Sequence, residues 1–188
     1  MLFVYFTRVR IDPNAKKVNP IVVVPLGGLL FGLAMLMLAT FTPVWATDYN
    51  DGTGIQPYSG GGLPQFTWAK ATFALMCTAS ALSVLSLVLY FVIYSQLTKR
   101  GFTVILRRIS IAYGILLILT IALMLAAFIV FDVGVSNITE FGTIGFGCCV
   151  YFLYTAIGSY IFASAFWSLF VWKYFKEYHS NLYTRRNY

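Results

Sequence analysis

Four long apolar stretches, separated by short polar segments, organise this chain. Each stretch has about 20 or more residues, enough to cross roughly 30 Å of hydrocarbon as a helix. The predicted spans are about 21–44, 69–96, 109–131 and 146–172. The pattern predicts an all-α membrane protein, a left-handed four-helix transmembrane bundle that forms a single membrane domain over residues 1–188.

The basic residues indicate the orientation of this bundle. All but one of the 13 Lys and Arg residues lie in the segments 1–20, 97–108 and 173–188. The other two connecting loops, 45–68 and 132–145, carry four of the six acidic residues. Because cytoplasmic segments of membrane proteins carry the excess of positive charge, both termini are predicted to be cytoplasmic and the two acidic loops to be outside. The expected location is the plasma membrane.

The composition points to lipid as the main solvent. Only 10% of the residues are charged and 60% are hydrophobic, whereas a soluble domain carries about 25% charged residues. The net charge of +7 would suggest nucleic acid in a soluble protein, but here the basic residues flank the spans, so no nucleic-acid partner is expected. Eight of them are predicted to set topology and to contact acidic lipid headgroups. They are Lys16, Lys17, Lys99, Arg100, Arg107, Arg108, Arg185 and Arg186.

The apolar stretches contain no candidate reaction centre. Their interiors hold no Asp, Glu, Lys, Arg or His, which disfavours a proton relay or an ion-coupled transporter. His179 cannot form a metal site by itself, and the adjacent Cys148 and Cys149 point to different faces of a helix. The sequence therefore predicts no enzymatic activity, no metal, no cofactor and no small-molecule substrate.

Small residues in the first and fourth spans are candidates for helix packing. Gly28 and Gly32 are four residues apart, a spacing that allows another helix to approach closely, and Ser159 and Ala163 repeat it in the fourth span. We expect these faces to bind other membrane proteins or a second copy of the chain. In the second span, Ser83 and its neighbouring serines have two interpretations: hydrogen bonding within the bundle, or lining of a polar path.

The first outer loop has the composition of a turn-rich segment. Its glycines and prolines predict a flexible loop, or a hairpin at most. Trp45 and Trp68 bracket it as interfacial aromatics and, with Asp48 and Asp51, are candidates for interaction with a partner. In the second outer loop, Asn137 opens an Asn-Ile-Thr acceptor pattern for N-glycosylation.

Motifs at the ends of the spans carry a family resemblance. Residues 42–45 (TPVW) resemble the end of the first span in the superfamily of claudins, peripheral myelin protein 22 and epithelial membrane proteins, which includes nematode claudin-like proteins. Residues 68–76 (WAKATFALM) resemble its entry into the second span, and 140–142 (EFG) with 151–154 (YFLY) its entry into the fourth. The resemblance covers most of the chain and implies claudin-like topology.

The first loop departs from the pattern of that superfamily. It has no cysteine and no Gly-Leu-Trp segment, and it is about half the usual length. We therefore do not carry over the extracellular sheet, or the barrier built on it. The resemblance implies a divergent, non-enzymatic member acting in cell-cell contact and junction organisation, or as an auxiliary subunit of a channel or receptor. The alternative is a subunit of an oligomeric pore or transporter.

Overall fold

Across the residues that the computed structural model describes (23–47, 52–56, 65–100, 104–137 and 145–186), four long helices account for most of the chain. They are α1 (Val24–Phe41), α2 (Thr67–Arg100), α3 (Val104–Ser136) and α4 (Cys148–Arg186). Each contains an uncharged apolar stretch long enough to cross a membrane. The prediction of an all-α, four-helix membrane bundle is confirmed.

The helices differ in how far they can extend beyond the hydrocarbon. At 1.5 Å per residue, α1 is only about 27 Å long, which matches the hydrocarbon alone. The 34 residues of α2 and the 39 of α4 make helices of about 51 and 58 Å. Much of the predicted inner loop 97–108 and of the tail 173–188 is helical. No proline interrupts either segment, so the helices can continue through them.

The bundle is built from two closely packed pairs. α1 packs against α4 and α2 against α3, while contacts of α1 with α2 and of α3 with α4 are sparser. The core mixes small, aliphatic and aromatic side chains, with Leu36, Ala39, Met76 and Tyr160 among the fully buried residues. Large apolar side chains remain on the outside, such as Ile118 of α3, where lipid rather than water is their favourable surrounding.

A small antiparallel sheet closes one end of the bundle. Its strands are β1 (Ala46–Thr47), β2 (Gly52–Thr53) and β3 (Gly145–Phe146), in the order β2-β1-β3. Ala46 lies opposite Thr53 on one side and Phe146 on the other. We call this end, where α1 ends and α4 begins, the sheet end, and the opposite end, where Arg107, Arg108 and Lys173 are exposed, the basic end.

The pairing of β1 with β2 is the hairpin that the loop composition allowed, whereas the three-stranded sheet corrects the expectation that no extracellular sheet carries over from the superfamily. The first loop supplies β1 and β2, but β3 comes from the second outer loop, so the two loops form one structure. Each strand has two residues, and β3 lies about 100 residues from β1 along the chain, a pairing for which the loop composition gave no signal.

Candidate functional site

The C-terminus of α1 is the anchor of the sheet end. The last carbonyls of a helix have no partner within the helix, and here side chains from the first loop supply donors. The indole Nε1–H of Trp45 donates to the carbonyl of Ala39 over 2.8 Å. The amide Nε2 of Gln56 donates to the carbonyls of Thr40, at 2.9 Å, and Thr42, at 2.8 Å. The loop therefore caps the helix it follows.

The start of α4 is tied to the same place. The backbone N–H of Gly147 donates to the carbonyl of Trp45 over 2.8 Å, and that of Cys149 to the carbonyl of Val44 over 3.2 Å. The thiol of Cys149 donates to the carbonyl of Thr42 at 3.1 Å. A Cβ at Gly147 would collide with the carbonyl of Val44, so only glycine permits this approach. The second outer loop is thereby fastened to the first.

An aromatic cluster supports the sheet from below. Trp45 meets Phe131 of α3 edge to face, with ring centroids 5.0 Å apart, and Trp68 meets the same ring at 5.9 Å. Phe66 stacks on Trp68 at 5.6 Å. A Cβ at Gly134 would collide with the Trp68 ring, so this glycine makes room for the indole. The cluster links the first loop to α2 and α3.

The burial of Trp45 corrects its predicted role. We expected an interfacial side chain available to a partner, but Trp45 is fully buried. Trp68 is partly buried. Aromatic side chains exposed at this end include Phe41, Phe66, Phe146, Tyr151 and Tyr154, and loop composition did not single them out as contact residues.

The four predicted helix-packing residues come together within one chain. A Cβ at Gly28 would lie 3.3 Å from the Cβ of Ala163 and 3.3 Å from the carbonyl oxygen of Ser159. A Cβ at Gly32 would lie 2.8 Å from the ring of Tyr160, closer than atoms can pack. The close pairing of α1 with α4 accounts for these small residues. A part for them in binding a partner stays a prediction.

The serines of α2 face the interior of the bundle. Ser80, Ser83 and Ser86 are all buried. The hydroxyls of Ser80 and Ser86 donate to carbonyls four residues earlier in their own helix, each at 2.9 Å. Ser80 also lies 3.3 Å from the hydroxyl of Thr40 in α1. For Ser80 and Ser86 these contacts are hydrogen bonds within the bundle, as the first interpretation has it, and the role of Ser83 stays a prediction.

The remaining predicted residues are placed only in part. Asn137 is exposed, directly after α3, with its N–H donating to the carbonyl of Val133. Arg107 and Arg108 are exposed near the start of α3. The other predicted side chains lie outside the described residues; these are Lys16, Lys17, Asp48, Asp51, Lys99, Arg100, Arg185 and Arg186.

Within the described ranges, no group of three or more His, Cys, Asp and Glu side chains comes together in a way that could hold a metal ion. The geometry of the sheet end provides instead a hydrogen-bonded platform that joins two loops and exposes aromatic rings.

The arrangement defines a class, the four-span membrane proteins in which a sheet formed by both loops closes one end of the helix bundle. The sequence profile of the claudin-like tight junction proteins matches residues 16–179, and the chain belongs to this family. No curated protein matches the sequence. The family resemblance drawn from the span-end motifs is thus confirmed.

Proposed function

We propose that this protein is a non-enzymatic, claudin-like organiser of cell-cell contacts in the plasma membrane. The sheet end would lie outside the cell and both termini in the cytoplasm. Exposed Arg107, Arg108 and Lys173 at the basic end support this orientation, because positive charge accumulates on the cytoplasmic side.

The observation that carries the proposal is the union of the two outer loops in one sheet. β3 pairs with β1, and Gln56 and Cys149 both donate to the carbonyl of Thr42. Hydrogen-bonded loops lose less conformational entropy on binding than free loops do. The sheet end is therefore a preorganised surface for another membrane protein or for a second copy of the chain.

Exposed aromatic rings give this surface its binding chemistry. Phe146 of β3 is 46% exposed, and Tyr151 and Tyr154 lie one to two turns into α4. Aromatic residues are enriched among the positions that contribute most to protein–protein affinity. We assign the contact with a partner to this group, together with Phe66.

Localisation in mixed cell cultures tests the proposal. We expect the tagged protein to concentrate at cell boundaries, and Phe146→Ala to spread evenly over the surface because it removes an exposed ring from the sheet. Phe91→Ala is the matched control, since Phe91 is similarly exposed, at 50%, but faces outward from the apolar part of α2. Surface labelling must show equal amounts of all three proteins.

Two outcomes would contradict this proposal. An even spread of the natural protein over the whole cell surface, with no enrichment at boundaries, would contradict a junction role. Co-purification with one large channel or receptor at fixed stoichiometry, without boundary enrichment, would favour an auxiliary subunit instead. Crosslinking in native membranes followed by identification of the captured protein separates these cases.

The alternative of an oligomeric pore makes a different prediction. Ser83 is buried inside a single bundle. We therefore expect Ser83→Leu to overpack the core and to lower the free energy of unfolding by about 1–3 kcal/mol. We expect no ion conductance that depends on this residue. Recordings from the purified protein in planar bilayers test this. A reproducible conductance that Ser83→Leu alters in folded protein would favour the pore.

A further inference from the structure

A groove runs along the sparser contact between α3 and α4 at the basic end. Its volume is about 430 Å³. Arg107, Ile111 and Gly114 line it from α3, and Val171 and Trp172 from α4. The groove lies outside the sheet end and plays no part in the function proposed above.

The floor of the groove is fixed by a tryptophan. Trp167 is almost fully buried, and its Nε1–H donates to the carbonyl of Ser110 over 3.1 Å. Among the described residues, a Cβ at Gly114 would have only Trp167 as a neighbour, at 3.9 Å, so none of their packing contacts requires glycine there. Because Gly114 has no side chain, the apolar part of the groove is open to the membrane; we call this part the apolar channel.

The groove changes from apolar to cationic along its length. Arg107, Ile111 and Gly114 are four and three residues apart, so they share one face of α3. Seven residues correspond to about 10 Å along a helix, which places the guanidinium end near the mouth and Gly114 deeper in the hydrocarbon. Trp172, 70% exposed, stands beside the mouth as tryptophans do at the membrane interface.

We propose that this groove binds one anionic phospholipid. Arg107 pairs with the anionic oxygens of the headgroup, because a guanidinium presents paired donors that match both carboxylate and phosphate oxygens. One acyl chain lies along Ile111, Gly114 and Val171. The apolar channel argues for a lipid over a free phosphate, which would leave the channel unfilled.

Quenching of tryptophan fluorescence by brominated lipids tests the proposal on the full chain in vesicles. The vesicles contain phosphatidylcholine with a fixed fraction of either brominated phosphatidylserine or brominated phosphatidylcholine. We expect a relative binding constant about tenfold in favour of phosphatidylserine, the effect of one charge-assisted hydrogen bond to the serine carboxylate, which phosphatidylcholine lacks. Arg107→Gln should abolish the preference, and Arg107→Lys should retain most of it.

Two matched controls distinguish binding of a lipid in the groove from a general attraction of anionic lipids to the basic end. Arg108→Gln removes the same charge from the neighbouring exposed position, which does not line the groove, and should leave the preference nearly unchanged. Gly114→Leu should fill the channel and remove the preference. Gly158→Leu should not, because a Cβ at Gly158 likewise has open space but lies on the far seam between α1 and α4.

Three results would overturn the proposal. Equal quenching by the two brominated lipids would show no headgroup selection. Equal losses in Arg107→Gln and Arg108→Gln would show diffuse attraction to the surface. A full preference in Gly114→Leu, with helix content unchanged by circular dichroism, would show that no acyl chain occupies the channel.

Discussion

Gly32→Leu is expected to lower the free energy of unfolding by about 3 kcal/mol, the upper end of the usual range for overpacking. The new Cβ would lie 2.8 and 2.9 Å from ring atoms of Tyr160 and 3.2 Å from the Cβ of Ser159. Tyr160 is fully buried, so its ring cannot turn away into open space. Helix association in lipid depends on close packing, because the surrounding tails are as apolar as the helices. The two helices must therefore separate.

Gly27→Leu provides the control for this variant. Gly27 lies on the same helix, and a Cβ there would meet no atom of the described residues within 4 Å. Thermal melting of the monodisperse protein in detergent should show a large drop for Gly32→Leu and little change for Gly27→Leu. Equal stability of the two variants would show that α1 and α4 do not pack as the structure has them.

The small residues of α1 show that a packing face can be predicted from an apolar sequence, although its partner cannot. The glycines at 28 and 32 were recognisable because one helical turn separates them and because membrane helices need small side chains to approach. The identity of the partner was not recognisable, since the pattern describes one face of one helix. The structure places Ser159, Tyr160 and Ala163 of the same chain against that face. The spans were predictable for a similar reason, because the length of an apolar run depends only on membrane thickness.

The sheet end could not be predicted in the same way. β1 and β3 have two residues each, too few for the alternation that identifies a strand. The hydrogen bonds of Gln56 join it to carbonyls 14 and 16 residues away, and no local pattern indicates such a contact. Trp45 has the composition signal of an interfacial residue, yet its indole fills the space above Phe131. In each case tertiary contact, and not local sequence, decided the conformation.

The absence of cysteines from the first loop also has a different consequence from the one that sequence suggested. Their absence argued against a sheet, because the resemblance implies that the superfamily fastens this loop with a disulfide. Here Cys77, Cys148 and Cys149 are all free thiols. Side-chain donors from Trp45 and Gln56 hold the loop against the end of α1 instead, and the thiol of Cys149 ties the start of α4 to the same end. Hydrogen bonds take the place of the covalent link at this end of the bundle.

Gln56→Met is therefore expected to release the sheet end while the helix bundle stays folded. Methionine has nearly the volume of glutamine but cannot donate to the carbonyls of Thr40 and Thr42. Leaving a buried acceptor without its donor costs about 1–3 kcal/mol. A loss of about 2 kcal/mol in local stability raises hydrogen exchange roughly 30-fold. Peptides that cover the strands at 46–53 should show this increase, and those from α2 and α3 should not.

Gln65→Met is the control, because Gln65 belongs to the same loop but is exposed. It should exchange like the natural protein and concentrate equally at cell boundaries. If the sheet is the contact surface, Gln56→Met should lose boundary enrichment at unchanged surface expression. Faster hydrogen exchange together with full boundary enrichment would show that enrichment does not depend on an ordered sheet. That result would count against the proposed function. Unchanged hydrogen exchange in Gln56→Met would show that the two hydrogen bonds of Gln56 do not hold the loop against α1.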